Sequence, residues 1–319
     1  MNQKILITGA AGFIGFHLSK SLLADGFEVL GIDNLNDYYD QSLKKARLKI
    51  LEEQPSFKFD KIDIYEKNEL EKSFKKFQPN MVVNLAAQAG VRYSIENPYE
   101  YINSNIVGFT NIIELCRHND VKGLIYASSS SVYGGNTKIP FDVKDRVDNP
   151  VSLYAATKKA NELIANSYSH LYGLHTTGLR FFTVYGPWGR PDMAMFMFLK
   201  NILEGKPINV FNNGDMKRDF TYIDDIIEGI KAAIKKNYAC EIFNIGNSIS
   251  EKLMDMIQVV ENEADKKARI NFLPMQPGDV RESFADIEYS TRKLGYKPTT
   301  SISQGIPNFV KWYRKYHEK

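Results

Sequence analysis

The chain has 319 residues, 43% hydrophobic and 25% charged, ordinary globular values for a chain long enough to bury a large core as two domains or one enlarged domain. Its 41 basic and 38 acidic residues leave a net charge of +3, too balanced for a nucleic-acid surface, and no Lys/Arg block has the length of a binding arm. Two cysteines and five scattered histidines exclude a disulfide framework and a zinc-ligand spacing. No apolar run spans a membrane and no signal peptide opens the chain, so a reducing cytoplasm with no membrane partner is expected.

Lys4–Thr8 is a short apolar run that flows into Gly9-Ala-Ala-Gly12-Phe13-Ile14-Gly15 and then into a helical pattern ending near Asp25-Gly26. Strand, glycine turn and helix in that order let the backbone approach a pyrophosphate, whose charge the amides at the helix N-terminus can hold. The spacing is Gly-x-x-Gly-x-x-Gly, not the more familiar Gly-x-Gly-x-x-Gly. A second strand, Glu28–Ile32, ends at Asp33, where a carboxylate takes ribose hydroxyls and repels a 2′-phosphate, which favours NAD over NADP.

Residues 36–55 form a polar insertion with Tyr38, Tyr39 and a helical Leu43/Leu48/Ile50/Leu51 pattern; the paired lysines Lys44-Lys45 read as a solvated helix face. Phe57–Ile62 alternates as a third strand, and Asp63-Ile64 at its end sits where an adenine edge would be read, with a helix cap as the equal alternative for Asp63. Met81–Ala86 is a continuously apolar fourth strand, as in a parallel sheet covered on both faces. Arg92 follows at its carboxyl end, as a phosphate or carboxylate ligand or a surface charge. Asn105–His118 reads as an amphipathic helix packed on the sheet, and Leu124–Ala127 as a fifth strand ending in the hydroxyl cluster Ser128-Ser129-Ser130-Ser131.

The next segment, from Pro150, places Tyr154 and Lys158 four residues apart on a helix that should run to about Tyr172, where Gly173 can stop it. A fixed cation beside a phenol favours phenolate and brings it toward the range of a general acid/base. Taken alone, the pair is more simply a solvated one. The order of glycine loop, acid, hydroxyl strand end and Tyr-x-x-x-Lys shifts the balance.

At this point the chain resembles the extended short-chain dehydrogenase/reductase superfamily, and within it the nucleotide-sugar epimerases. The motifs are Thr8–Gly15, Asp33-Asn34, Asn84-Leu-Ala86-Ala, Ser128-Ser129-Ser130, Tyr154-x-x-x-Lys158 and Leu179–Pro187. The subgroup most resembled is the UDP-glucuronate 4-epimerases, on Asn34-Leu-Asn-Asp-Tyr-Tyr-Asp40, Ala87–Ser94, Pro150–Tyr154 and Phe181–Met193, with Thr183 where glucose/galactose epimerases usually carry Asn.

The resemblance implies an α/β fold: a Rossmann-type doubly wound parallel sheet in residues 1–180 binding NAD, and a smaller α/β UDP-sugar domain in 181–319. The two would interleave through a return strand near 240–246. It implies Tyr154, Lys158 and Ser129 as catalytic residues. NAD would contact Gly9, Gly12, Phe13, Ile14, Gly15, Asp33, Asn34, Asp63, Ile64 and Ala86, along with Tyr154 and Lys158. The sugar nucleotide would contact Arg92, Ser129, Ser130, Thr183, Arg190, Val210 on a strand along the uracil, and Arg218 and Arg281 near the pyrophosphate. Arg190 is the informative member, because a guanidinium can pair bidentately with a uronic carboxylate; its plain alternative is a surface ion pair. No metal is implied. A homodimer through a four-helix interface, built from the Asn105 helix and the tyrosine helix, completes the expectation.

The implied reaction is 4-epimerisation of UDP-glucuronate through a 4-keto sugar. Its rivals are a UDP-glucuronate decarboxylase, a 4-epimerase of UDP-glucose or UDP-N-acetylglucosamine, and a non-catalytic nucleotide-responsive scaffold.

Overall fold

The computed structural model describes residues 3–276 and 279–317. In chain order its strands are β1 Lys4–Thr8, β2 Glu28–Asp33, β3 Phe57–Lys61, β4 Met81–Asn84, β5 Gly123–Ser129, β6 Thr176–Phe181, β7 Thr183–Tyr185, β8 Pro207–Phe211, β9 Lys217–Arg218, β10 Phe220–Tyr222, β11 Cys240–Ile245, β12 Glu251–Lys252, β13 Arg269–Leu273 and β14 Glu282–Ser283. The first six alternate with helices and, with β11, make a seven-stranded sheet in the order β11-β6-β5-β4-β1-β2-β3. Every pairing in it is parallel. This is the doubly wound α/β sheet expected, with its reversal of winding between β1 and β4.

Helices cover both faces, so the strand side chains have no wet side to alternate toward. All four residues of β4 are buried, as are Ile5 to Thr8 of β1. A parallel sheet also brings every strand's carboxyl end to one edge. Thr8, Asp33, Asn84 and Ser129 therefore share a rim although they are far apart in the chain.

The helix Leu153–Tyr172 has definite ends. The Ser152 side chain accepts a hydrogen bond from the Ala155 amide at 3.1 Å, a cap worth about 1 kcal/mol, and Gly173 closes the helix in the left-handed conformation at φ 67°. Positions 154, 158 and 162 then lie on one face, turned toward the ends of β5 and β6.

The Asn105–His118 expectation needs revision. Only Phe109–His118 is α-helical; Ile102–Gly108 is wound as a π-helix. The reason is close packing: the Asn105 amide bonds both the main chain of Gln88 and the Thr157 hydroxyl, and a side chain at Gly108 would run into Ile64.

Smaller sheets follow β6: β7 with β10, β8 with β13, and β9 between β12 and β14. Asp219, fully buried, joins them to the large sheet. Its carboxylate accepts hydrogen bonds from the amides of Asn247, Ser248 and Ala285 and from the Thr221 hydroxyl. The closing helix Ile302–His317 packs Ile306, Phe309 and Val310 inward.

Candidate active site

The glycine loop is shaped by close approach. Gly9 has φ 71°, and a Cβ there would stand 2.8 Å from the Ala86 amide nitrogen; at Gly15 it would stand 2.1 Å from the Gly9 oxygen. No side chain caps the helix that begins at Phe13, which leaves the first-turn amides of Phe13, Ile14 and Gly15 for an anion. The Thr8 hydroxyl donates to Asn84 Oδ1 at 2.6 Å and accepts from the Ala86 amide at 3.1 Å, locking β1 to the loop after β4. Changing Gly15 to Ala is expected to abolish retention of NAD through purification and to lower the melting temperature, both readable on the isolated protein.

Asp33 ends β2 with its carboxylate turned back on the loop. One oxygen accepts from the Ala11 amide at 3.2 Å and the other from Leu35 N at 2.8 Å. Burial pushes its carboxyl above the ordinary range, against the pull of Lys44 and the two amides. Asn34 donates to Asp63 Oδ2 at 2.6 Å, which brings these two candidates together beside buried Ile64. Asp63 is not a helix cap: the following helix starts at Lys67 with Glu66 before it. Loop, carboxylate and uncapped amides form a cradle whose shape and polarity fit a dinucleotide.

Ser128 and Ser129 belong to β5, and Ser130 opens a short 3₁₀ turn. Ser129 Oγ accepts from the Ser131 amide at 3.1 Å and lies 3.2 Å from Ser131 Oγ, so its rotamer is held. Ser128 Oγ donates to Glu162, which also receives the Arg180 guanidinium in a fork at 2.8 and 2.9 Å. Burial works against the ionised Glu162, but Arg180 outweighs it and holds the carboxyl below its usual range. One turn beyond Lys158, Glu162 thus fastens the tyrosine helix to β6 through Arg180 and to the serine strand through Ser128.

Tyr154 is half-buried at the rim. Burial raises its phenol above the usual value, while the Ser129 hydroxyl and the Arg190 charge act in the other direction. Lys158 is buried with its ammonium donating to the Ala127 carbonyl at 3.0 Å, and burial brings it down to about 8.

Thr183 and Arg190 line one small cavity with Tyr185 and Met193. Here the guanidinium already has a carboxylate partner within the chain. Two arms of the Arg190 fork are taken by Asp192, Nε to Oδ1 at 3.0 Å and Nη2 to Oδ2 at 2.5 Å. Tyr38, from the insertion, donates to the same Asp192 at 3.3 Å, and its ring lies 5.9 Å from the guanidinium. A sugar carboxylate must take Nη1 or displace Asp192. Asp192 stands in the quoted Gly-Arg-Pro-Asp segment, but nothing local marks it as the partner.

The remaining candidates gather around β8 and residues 279–281. Arg92 is exposed, paired with Asp279 at 3.3 Å and lying over the Phe211 ring at 5.0 Å. Val210 points into the core of β8 with no exposed surface, so only its main chain can meet a ligand. Arg218 Nη1 donates to the carbonyls of Lys217 and Arg281, and Arg281 pairs with Asp215 at 2.8 Å. Gly278, three residues before Arg281, lies outside the described residues.

Lys44 is not solvated either: it is buried, donating to the main-chain and side-chain oxygens of Asn36. Nearby, His17 Nε2–H donates to the Pro187 carbonyl at 2.9 Å, and burial lowers the ring's pKa to about 4. The folded state thus holds His17 neutral. An unfolded histidine protonates near 6.5, so stability is full above that pH and falls as pH drops from 6.5 toward 4. Thermal melts at pH 7 and 5 should show a smaller acid penalty for His17→Gln than for the parent.

No group of His, Cys, Asp and Glu that could hold a metal occurs among the described residues, and no helix there is long and apolar enough to cross a membrane.

Residues 5–246 match the NAD-dependent epimerase/dehydratase family. Protein CapI of Staphylococcus aureus is 53% identical over 99% of this chain and 100% of its own length. UDP-glucuronate 4-epimerase 4 of Arabidopsis thaliana is 50% identical over 98% of this chain and 76% of the plant protein. Among solved structures, UDP-glucuronic acid 4-epimerase from Bacillus cereus, in complex with UDP-glucuronic acid and NAD, superposes with a TM-score of 0.93. It is 37% identical and covers 99% of this chain and 100% of that one.

Proposed function

The chain belongs to the NAD-dependent epimerase/dehydratase family, and from that premise we propose that it interconverts UDP-glucuronate and UDP-galacturonate by NAD-dependent 4-epimerisation. The observation that carries this reading is the convergence of Tyr154, Ser129 and Arg190, a proton carrier, a hydroxyl and a guanidinium whose charge acts on the phenol. The likeness to UDP-glucuronate 4-epimerases over nearly the whole chain supports the same substrate.

In this reading Gly9 and Gly12 shape the turn, their amides spent on the carbonyls of Ile32 and Gly9, and the amides of Phe13, Ile14 and Gly15 hold the pyrophosphate of NAD; Asp33 and Asn34 take its adenosine ribose, and Asp63, Ile64 and Ala86 flank the rest. Bound NAD supplies a reversible two-electron oxidation at C4 of the sugar. Tyr154 takes the 4-hydroxyl proton while Ser129 hydrogen-bonds the same oxygen, and Ser130 lies next to it. Lys158 holds the nicotinamide ribose. The 4-keto sugar turns over, its other face meets the same residues, and Tyr154 returns the proton with inversion. Arg92, Arg218 and Arg281 serve the UDP portion, with Val210 beside the base through its main chain.

A 4-keto uronate is a β-keto acid and readily loses carbon dioxide. Thr183 and Arg190 are therefore assigned to the carboxylate, which they hold against that loss.

Incubation with UDP-glucuronate followed by NMR decides the reading. UDP-galacturonate is the expected product. UDP-xylose would make the enzyme a decarboxylase, and absence of turnover would point to a neutral UDP-hexose or to a scaffold without catalysis.

We place the protein in the cytoplasm as a homodimer. Leu163 and Leu171, 57% and 64% exposed on the tyrosine helix, support a four-helix interface with the Phe109–His118 helix and its π-helical lead. Light scattering should give twice the mass of the 36.4 kDa chain.

A further inference from the structure

Arg47, on the helix Gln41–Glu52, is fully buried, and no carboxylate pairs with it among the described residues. Its guanidinium instead joins two segments. Nη1 donates to the Ala11 carbonyl in the glycine loop and to Tyr39 Oη, each at 2.9 Å. Nη2 donates to the carbonyls of Trp188 at 2.6 Å and Gly189 at 3.3 Å, two and one residues before Arg190.

His17 extends the same grip to Pro187, so three successive carbonyls of the segment leading to Arg190 are held by side chains from the nucleotide-binding half. Trp188 lies in the left-handed region at φ 61°, a conformation that a non-glycine residue keeps only where its surroundings impose it. Its ring is fixed between Phe16 and Trp312, and its carbonyl by Arg47.

We propose that Arg47 is a positioning residue that sets the place of Arg190 and ties it to the glycine loop, so that the grip on the sugar carboxylate depends on the loop's NAD-binding conformation. This rests on the epimerase reading above. A charged side chain buried among carbonyls is costly, and Arg47 offsets that cost through Nη1 and Nη2, which bridge elements 141 residues apart, while its buried Nε finds no acceptor. The coupling runs both ways: what the loop does to sugar affinity, the sugar does to NAD affinity.

The test compares the parent, Arg47→Met and Arg47→Lys, each also in an Arg190→Ala background. Steady-state kinetics on UDP-glucuronate, the NMR ratio of hexuronate to decarboxylated product, bound NAD and melting temperature are measured for all. Arg47→Met should raise KM about tenfold with kcat changed less than about threefold, and increase the decarboxylated fraction. Arg47→Lys, which can reach one side of the bridge, should recover part of both. In the Arg190→Ala background the Arg47 substitutions should change KM by less than about twofold, since coupled residues do not add.

A folded Arg47→Met with the parent's KM and product ratio overturns the proposal, as do effects that add in full to those of Arg190→Ala. Should Arg47→Met not fold, Arg47→Lys carries the same comparison with the same two overturning outcomes. Failure of the epimerase reading is seen separately, in a parent enzyme that makes no UDP-galacturonate, and takes this proposal down with it.

Discussion

Replacing Tyr154 by Phe is expected to lower kcat on UDP-glucuronate by about 10³-fold while NAD and UDP-sugar affinities stay within a few-fold of the parent. The ring keeps its place, since its contact with Tyr101 and the helix beneath it do not involve the hydroxyl. What goes is the group that exchanges a proton with the 4-oxygen. Single-turnover spectroscopy at 340 nm checks it: the parent should build up reduced cofactor on mixing with substrate, and the Phe variant should not within the parent's turnover time. Retained turnover would remove Tyr154 from the chemistry. The pH profile gives an independent reading. Because burial raises the phenol's pKa, with Ser129 and Arg190 opposing, activity should rise with pH toward the alkaline side. Ser129→Ala removes the first of those opposing influences and should move that rise to higher pH.

The second large effect is expected at Arg190. Truncation to Ala removes the guanidinium that Asp192 holds on two nitrogens, and losing a charge-assisted contact from it to the sugar carboxylate is expected to cost about 2–5 kcal/mol. KM for UDP-glucuronate should rise by about 10²-fold, and the carbon dioxide released per epimerisation should increase because the β-keto acid is no longer restrained. Asp192→Asn separates two accounts of the ion pair. If a sugar carboxylate must displace Asp192, neutralising that side chain removes the competitor and should lower KM. If Asp192 only aims Arg190, KM should rise. An unchanged KM in Arg190→Ala would end the carboxylate role.

Much of the nucleotide half was legible before any coordinates. Strand, glycine turn, helix and terminal acid are short-range patterns, and β1, the glycine loop and Asp33 depend on steric rules that act within a few residues. The tyrosine helix was equally local: Ser152 caps it, Gly173 ends it, and the four-residue spacing turns Tyr154 and Lys158 to one side. Other readings went astray where the deciding partner was distant. Lys44 looked like one of a solvated pair, yet the insertion folds over it and buries its ammonium against Asn36. Val210 was placed along a base by its strand, but the period-2 alternation of β8 turns its side chain inward.

The linear pattern of residues was thus enough to indicate the strands, the dinucleotide loop and the residue types that move a proton, because each is written in a pattern only a few residues long, although the strand pairing itself joins distant segments. The arrangement around the sugar carboxylate was not contained in it. Arg190 acquires its neighbour Tyr38 and its support from Arg47 only when the insertion packs across the loop from Pro187 to Gly189. Those meetings join segments more than 140 residues apart, and no spacing rule reaches that far.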